Sequence, residues 1–199
     1  MVMFVVLTFS LLVLVLGTSL AIFTYLGKGK TSNSLKTGSL TFAYSDSVGG
    51  SNGIYIDNAR PISDEEGKNL SGNREYFDFV ITATTSYSPI SYEVIATKGD
   101  ISTLKDSDIK LYLTVVNGSS EVDTPITSNN GVVTLFSELH DTKNNDFTGK
   151  SIYFETIEPS NNTYNKRFRL RMWIDNKLYD EAYLLDKVFS VRVNVSASN

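Results

Sequence analysis

The chain has 199 residues, a net charge of −4 and a pI of about 5.0, which disfavours nucleic-acid binding through a basic surface. It contains no cysteine, and this excludes disulfide bonds, thiolate metal ligands and a thiol nucleophile. Aromatic residues make up 12% of the chain, too many for a disordered protein, so we expect one domain with a packed core.

The first predicted element is an apolar helix over residues 1–26, which contain no charged side chain. At 1.5 Å per residue it would be roughly 39 Å long, more than the ~30 Å hydrocarbon layer of a membrane. Three interpretations remain open: a membrane anchor, a cleaved signal segment, and a helix packed in a filament core. The small residues Ser19 and Ala21 predict a cleavage position at Ala21, which would leave a chain beginning at Ile22.

Residues 27–37 (GKGKTSNSLKT) predict a flexible neck, and residues 38–199 predict a single β-sandwich domain. Apolar residues recur at every second position in most of the candidate strands. A polar loop over residues 61–72 predicts one helical turn capped by Ser63. The candidate strands lie near residues 40–44, 54–56, 77–82, 90–94, 109–115, 132–136, 152–154, 168–174 and 189–195. This pattern predicts an all-β fold, a two-sheet β-sandwich or jelly roll, preceded by the N-terminal apolar helix.

No catalytic constellation is evident, and we expect neither an enzyme nor a bound cofactor. The only histidine, His140, precedes Asp141, but no nucleophile elbow accompanies them. Asp106 and Asp108 begin a calcium-like spacing, yet residues 109–112 supply no further oxygen ligands. We therefore expect no metal site.

A row of basic residues is the candidate contact surface. Arg167, Arg169 and Arg171 share one strand face with Trp173, and such a face suits an acidic polymer or polysaccharide. The alternative is pairing with acidic residues on a neighbouring strand, such as Asp78. Glu93 is a second candidate partner for the arginines. The negative net charge favours such pairing over a ligand-binding role of the basic row.

Short motifs within residues 19–82 resemble a known family. An apolar leader ends at residues 21–24 (AIFT), residues 37–40 (TGSL) open the first strand, and residues 53–61 (GIYIDNARP) and 76–82 (YFDFVIT) follow. This layout resembles the TasA/camelysin group of secreted bacterial biofilm-matrix proteins. The resemblance implies a jelly-roll subunit of an extracellular fibre, in which the released N-terminal segment of one subunit adds as a strand to the next.

The expected function is that of a non-enzymatic structural protein, located outside the cell or on its surface, that self-assembles into a homopolymer. After cleavage, Ile22, Phe23, Tyr25 and Leu26 would be the donor residues; without cleavage, residues 1–26 would contact the membrane.

The sequence leaves two alternative functions open. One is a membrane-tethered adhesin or carbohydrate-binding module that uses Trp173, the arginine row and Tyr87. The other is a pilus or virion component whose apolar helix lies in the assembly core or in a membrane.

Overall fold

The structure is a computed structural model that describes residues 33–35, 38–44, 53–57, 60–72, 75–126, 132–178 and 181–198. The predicted apolar helix over residues 1–26 and most of the predicted neck lie outside these ranges. Within the described residues, no helix combines the length and apolar character that a membrane crossing requires.

The described residues form a β protein with very short helices. In chain order the strands are β1 (Asn33–Leu35), β2 (Gly38–Tyr44), β3 (Gly53–Asp57), β4 (Tyr76–Thr85), β5 (Ile90–Lys98), β6 (Ile109–Asn117), β7 (Ser120–Asp123), β8 (Val133–Leu135), β9 (Lys150–Ile157), β10 (Ser160–Ile174) and β11 (Val188–Ser198). The helices are α1 (Asp64–Lys68) and α2 (Glu181–Leu184), with 3-10 turns at Asp106–Asp108 and Phe136–Glu138.

The strands form two antiparallel sheets. Sheet A has the order β1-β2-β4-β10-β6-β7, and β8 also pairs with β6. Sheet B has the order β3-β11-β5-β9. The predicted all-β, two-sheet architecture is confirmed, and the two central strands of sheet A are β4 and β10.

The core lies between the sheets and is built by alternation along each strand. Phe79 on β4 is completely buried, and its ring centroid lies 5.1 Å from that of Phe168 on β10. Across the interface, Tyr153 of sheet B contacts the Phe168 ring edge-on at 5.0 Å. Burial of such side chains contributes about 25 cal/mol per Å² and is the main stabilising term in a chain without disulfides. Apolar residues at every second position of β4, β6, β10 and β11 are buried, in agreement with the alternation in the sequence: Phe77, Phe79, Ile81, Ile109, Leu111, Leu113, Phe168, Leu170, Met172, Ile174, Phe189, Val191 and Val193. Val115 and Val195, which continue two of these faces, are partly buried.

Three strand segments were not predicted. β1 lies within the predicted neck, residues 27–37, and pairs with β2. β7 is exposed at all four positions, and β10 begins at Ser160, well before the predicted start near residue 168. The first half of β10 is mostly exposed, so its sequence (SNNTYNKR) shows no regular alternation of apolar and polar residues. These residues are strands because they pair with neighbours, rather than because they bury one face.

Helix α1 covers part of the outer face of sheet A. The predicted capping box is confirmed, since Ser63 Oγ accepts from the Glu66 N–H (3.2 Å) and the Glu66 carboxylate accepts from the Ser63 N–H (3.0 Å). Gly67 lies directly against the Trp173 indole, and a Cβ at this position would stand 2.3 Å from two ring carbons. Only glycine allows the helix to approach the ring this closely.

We expect Gly67→Ala to lower the free energy of unfolding by about 1–3 kcal/mol, because the added methyl group would displace α1 from Trp173. Urea denaturation followed by Trp173 fluorescence measures this change, since Trp173 is the only tryptophan. Glu65→Ala, on an exposed position of the same helix, is the control and should leave the midpoint nearly unchanged. Equal effects of the two substitutions would contradict the role of the close contact.

Candidate functional site

The residues predicted to act in strand donation are not placed by the structure. The cleavage position Ala21 and the donor residues Ile22, Phe23, Tyr25 and Leu26 all lie outside the described residues. Their role therefore stays a prediction.

The predicted basic row is present on the outer face of sheet A, and its arginines are paired with acidic residues. Asp78 on β4 lies opposite Arg169 and is buried. Its carboxylate accepts from Arg169 Nε (2.7 Å) and Nη2 (2.9 Å), and from Arg167 Nη2 (2.7 Å). The alternative of cross-strand pairing is confirmed for Asp78. Glu93 does not take part in the pairing, because it lies in sheet B, where its carboxylate accepts from the Thr142 hydroxyl.

Glu121 on β7 completes this ionic layer. It accepts from Arg171 Nη1 (2.6 Å) and Nη2 (3.0 Å), from Arg169 Nη1 (2.9 Å) and from the Thr114 hydroxyl (2.8 Å). Arg171 also donates Nε to the Leu70 carbonyl (2.7 Å) and is only 4% exposed. The hydrogen bonds from Arg171 are the main cause that lowers the pKa of the Glu121 carboxyl to about 2, although burial opposes this change.

Trp173 is not available as a surface contact. Its predicted contact with a ligand requires an exposed indole, and this requirement is not met, because residues 60–72 cross this face of the sheet and leave Trp173 only 2% exposed. The crossing segment is held by the Ile62 N–H, which donates to the Ile174 carbonyl (3.2 Å), and by Lys110, which pairs with Asp64 (2.7 Å). The predicted contact surface is therefore largely a buried structural layer.

The other candidates for chemistry have structural partners. The His140 carbonyl accepts from the Ser151 N–H (2.9 Å) at the start of β9. Asp106 pairs with Lys98 (2.5 Å), and Asp108 accepts from the Tyr183 hydroxyl (2.9 Å). In the ranges that the structure describes, no three side chains of His, Cys, Asp or Glu come together in a way that could hold a metal ion.

A groove opens beside β9, at one side of the sandwich. It has a volume of about 390 Å³ and includes the segment that follows β7. Phe154 on β9 is 52% exposed, and Val122, which pairs with Val115 across β7 and β6, is 53% exposed. The groove thus combines apolar walls with charged groups. Its lining residues are Val115, Asp123, Thr124, Pro125, Ile126, Tyr153, Phe154 and Lys166.

The strand edge next to this groove is open over most of its length. Within the described residues, β9 pairs with β5 on one side, and its other side is covered only at its start, where Asp141 bridges Lys150. In the same part of the chain, the first half of β10 pairs only with β4, because the pairing of β10 with β6 begins at Phe168. Unpaired backbone N–H and C=O groups therefore remain along residues 152–157.

A polar cluster at Glu155 connects β9 to sheet A. Its carboxylate accepts from the hydroxyls of Tyr92 (2.6 Å), Tyr153 (3.0 Å) and Tyr164 (2.5 Å), and from Lys166 Nζ (2.9 Å). Lys166 also donates to the Tyr153 hydroxyl (2.7 Å). Burial opposes ionisation of Glu155, yet hydrogen bonds from Tyr164, Tyr92 and Lys166 hold the pKa of its carboxyl below the usual range. Glu155 is therefore charged at neutral pH.

The sequence analysis missed both the groove and the cluster. The groove combines residues from four separated segments, and no local pattern connects them. The sequence of β9 contained one indication of the cluster: Glu155 shares its strand face with Tyr153 and with Ile157, which is buried. A carboxylate on an inward face requires hydrogen-bond donors, and this requirement could have indicated a polar cluster.

We expect Glu121→Gln to lower the free energy of unfolding at pH 7 by about 2–4 kcal/mol, because Arg171 would stay buried without its anionic partner. The folded-state pKa of Glu121 is depressed, so its contribution is complete above the unfolded pKa, near ~4.3, and is lost as the pH falls towards 2. Thermal unfolding between pH 7 and pH 2 measures both effects. The stability of the variant should depend less on pH below about pH 4.3 than that of the wild type.

Asp141→Asn is the control for this experiment, because Asp141 pairs with Lys150 but its side chain is 83% exposed. A loss of stability as large as that of Glu121→Gln would contradict the importance of the buried partner Arg171.

Comparisons with protein-family models, with curated proteins and with solved structures gave no match. Function is therefore inferred from the groove, the open strand edge and the charge pairs of the described residues.

Proposed function

We propose that this chain is a non-enzymatic structural subunit of a filament at the cell surface or in an extracellular matrix, and that it polymerises by strand addition. In this proposal, an extended segment of one copy adds to the free edge of β9 in the next copy. The single observation that carries it is the groove of about 390 Å³ beside an unpaired strand edge. Strand addition satisfies backbone groups on the edge, while the groove accepts alternate side chains.

The length of β9 favours it over the other outer strands of the described sheets. β9 has eight residues, whereas β1 has three, β7 has four and β3 has five. Short edge strands are a common protection against unwanted pairing, and β9 lacks this protection. Six of its residues, 152–157, follow the part covered by residues 140–142.

The side chains beside the edge suit an apolar donor. A strand along the groove would cover Phe154, which lines the groove and is about half exposed. Full burial of such side chains is worth about 1.5–3 kcal/mol each, and each net backbone hydrogen bond adds about 0.5–1.5 kcal/mol. These gains must offset the loss of freedom on association, about 4–15 kcal/mol, so several contacts are needed together.

The proposed donor is the N-terminal segment after cleavage at Ala21, with Ile22, Phe23, Tyr25 and Leu26 as its apolar residues. Basic residues follow this segment at positions 28 and 30, and the groove contains the carboxylate of Asp123 as well as the ammonium of Lys166, which pairs with Glu155. The resemblance of residues 19–82 to the TasA/camelysin group supports the same assignment and a jelly-roll arrangement of the sandwich.

The proposal predicts that the assembled protein begins at Ile22. Intact-mass measurement of the protein recovered from the medium or the cell surface tests this, because a chain that retains Met1 is heavier by the whole leader. Recovery only of the uncleaved chain, embedded in membrane, would contradict the proposed donor and favour the pilus or virion alternative.

We further expect Phe154→Asp to raise the critical concentration for assembly about tenfold or more, since ~1.4 kcal/mol of lost contact corresponds to a factor of ten. Sedimentation of the processed protein over a concentration series, with electron microscopy of the pellets, measures this effect. Leu185→Asp is the matched control, because Leu185 is also exposed but does not line the groove. Filaments that form equally well from both variants would exclude the β9 groove as the acceptor.

The second candidate function, a membrane-tethered adhesin or carbohydrate-binding module, is supported by the exposed aromatic rings of Tyr87 and Phe154. It no longer includes Trp173 as a ligand contact. Glycan-array binding that is lost in Tyr87→Ala would favour this function over filament assembly.

A further inference from the structure

We infer that Glu155 is the positioning residue of the acceptor edge: its carboxylate fastens β9 to sheet A and so keeps residues 152–157 in place to receive a strand. This inference rests on the proposed function, because it assigns a role in assembly to a residue that need not touch the incoming strand. Glu155 is not among the residues that line the groove, whereas its hydrogen-bond partners Tyr153 and Lys166 are.

The position of Glu155 in β9 makes it a link between the sheets. It lies opposite Tyr92 of β5 within sheet B, and it binds Tyr164 and Lys166 of β10 in sheet A. One carboxylate therefore joins β5, β9 and β10. The same side also has the edge-on contact of Tyr153 with Phe168 (5.0 Å), the contact between the Tyr92 and Tyr164 rings (6.2 Å) and the hydrogen bond between their hydroxyls (2.9 Å).

The pairing of β9 with β5 is interrupted, and this interruption gives the link its importance. The register shifts between Val94 and Ile95, so that Val94 pairs with Tyr153 whereas Ile95 pairs with Ser151. Such a bulge leaves a residue unpaired and disrupts the ladder locally. The open part of β9 begins at this bulge, and Glu155 lies within that open part. We therefore expect the backbone of residues 152–157 to depend on the Glu155 contacts for its position.

The groups around Glu155 explain why its charge matters. Three tyrosine hydroxyls and the Lys166 ammonium all donate to it, and Lys166 additionally lies 5.1 Å from the centre of the Tyr153 ring. A neutral glutamine has nearly the same size, and its carbonyl oxygen can replace Oε2, the oxygen to which all four donors point. Its amide nitrogen would then take the position of Oε1, which lies 3.1 Å from Lys166 Nζ, so Lys166 would face an N–H donor and keep its charge without an anionic partner.

The first test is hydrogen exchange in dilute, unassembled protein, compared between wild type and Glu155→Gln. We expect the amides of residues 152–157 to exchange about tenfold faster in the variant, while the amides of β4 and β10 change little. Tyr164→Phe removes a single donor and is the milder second variant, which should show a smaller change in the same direction. Uniform acceleration over all strands would indicate a general loss of stability and would overturn the inference.

The second test separates positioning from stability during assembly of the processed protein. Ile54→Val is the matched control, because Ile54 is buried on β3, at the other edge of sheet B. At temperatures chosen so that both variants have the same unfolded fraction, Glu155→Gln should raise the critical concentration about tenfold over Ile54→Val. Equal critical concentrations would show that Glu155 acts only through stability.

The pH dependence of assembly is a third test, because it responds to the charge of Glu155 and not only to the stability of the fold. Wild-type assembly should weaken as the pH falls below about 4.3 and Glu155 gains a proton, because its folded-state pKa lies below the ordinary value. Assembly of Glu155→Gln should be weak at neutral pH and should change less than that of the wild type over the same range, because only other carboxylates such as Glu121 then gain a proton, whereas Asp141→Asn should follow the wild type. If the wild type never assembles, the proposed function is wrong. If the wild type and Glu155→Gln assemble with the same pH profile, only this inference is wrong.

Discussion

Burial of the second half of β10, residues 168–174, on both of its faces is the constraint on which the rest of the structure depends. The inner face of this segment, Phe168 to Ile174 at alternate positions, belongs to the core between the sheets. Its outer face carries Arg169, Arg171 and Trp173, and these also lie mostly under cover. A strand with this composition requires two different kinds of partner: apolar side chains from sheet B on one side, and carboxylates with a covering loop on the other. Both requirements are met without a disulfide.

The outer layer shows how a charged surface becomes part of the structure. Asp78 lies on the adjacent strand β4, and Glu121 lies on β7, beyond β6 on the other side of β10, so each arginine finds an anion on one side or the other. The Arg169 guanidinium also stacks on the Tyr76 ring at 3.9 Å. Residues 60–72 then exclude water from the end of this layer. Buried ion pairs of this kind add specificity of pairing more than net stability, since their desolvation cost is large.

The sequence was sufficient for features that depend on local periodicity and insufficient for those that depend on distant segments. Alternation identified the inward faces of β4, β6, β10 and β11, and the Ser63 motif identified α1. The burial of Trp173 could not be deduced from the sequence, because it depends on a distant residue. Gly67, which lies against the indole, comes about one hundred residues earlier in the chain. The groove likewise combines β9 with residues from β6, from the segment after β7 and from β10. Each of these segments has an unremarkable sequence on its own.

An open strand edge can lead to unwanted aggregation or to specific assembly. The length, charge and register of β9 indicate which of these it favours. Natural edges are commonly shortened, charged or bent, and β9 has a register shift but neither a short length nor a dense charge. Its inward glutamate is satisfied by four donors, so the edge is ordered by its own domain before any partner arrives. Such preorganisation lowers the ordering cost of association. An edge that is long, unpaired and held in place by an internal charge pair suits selective strand addition better than it suits accidental aggregation.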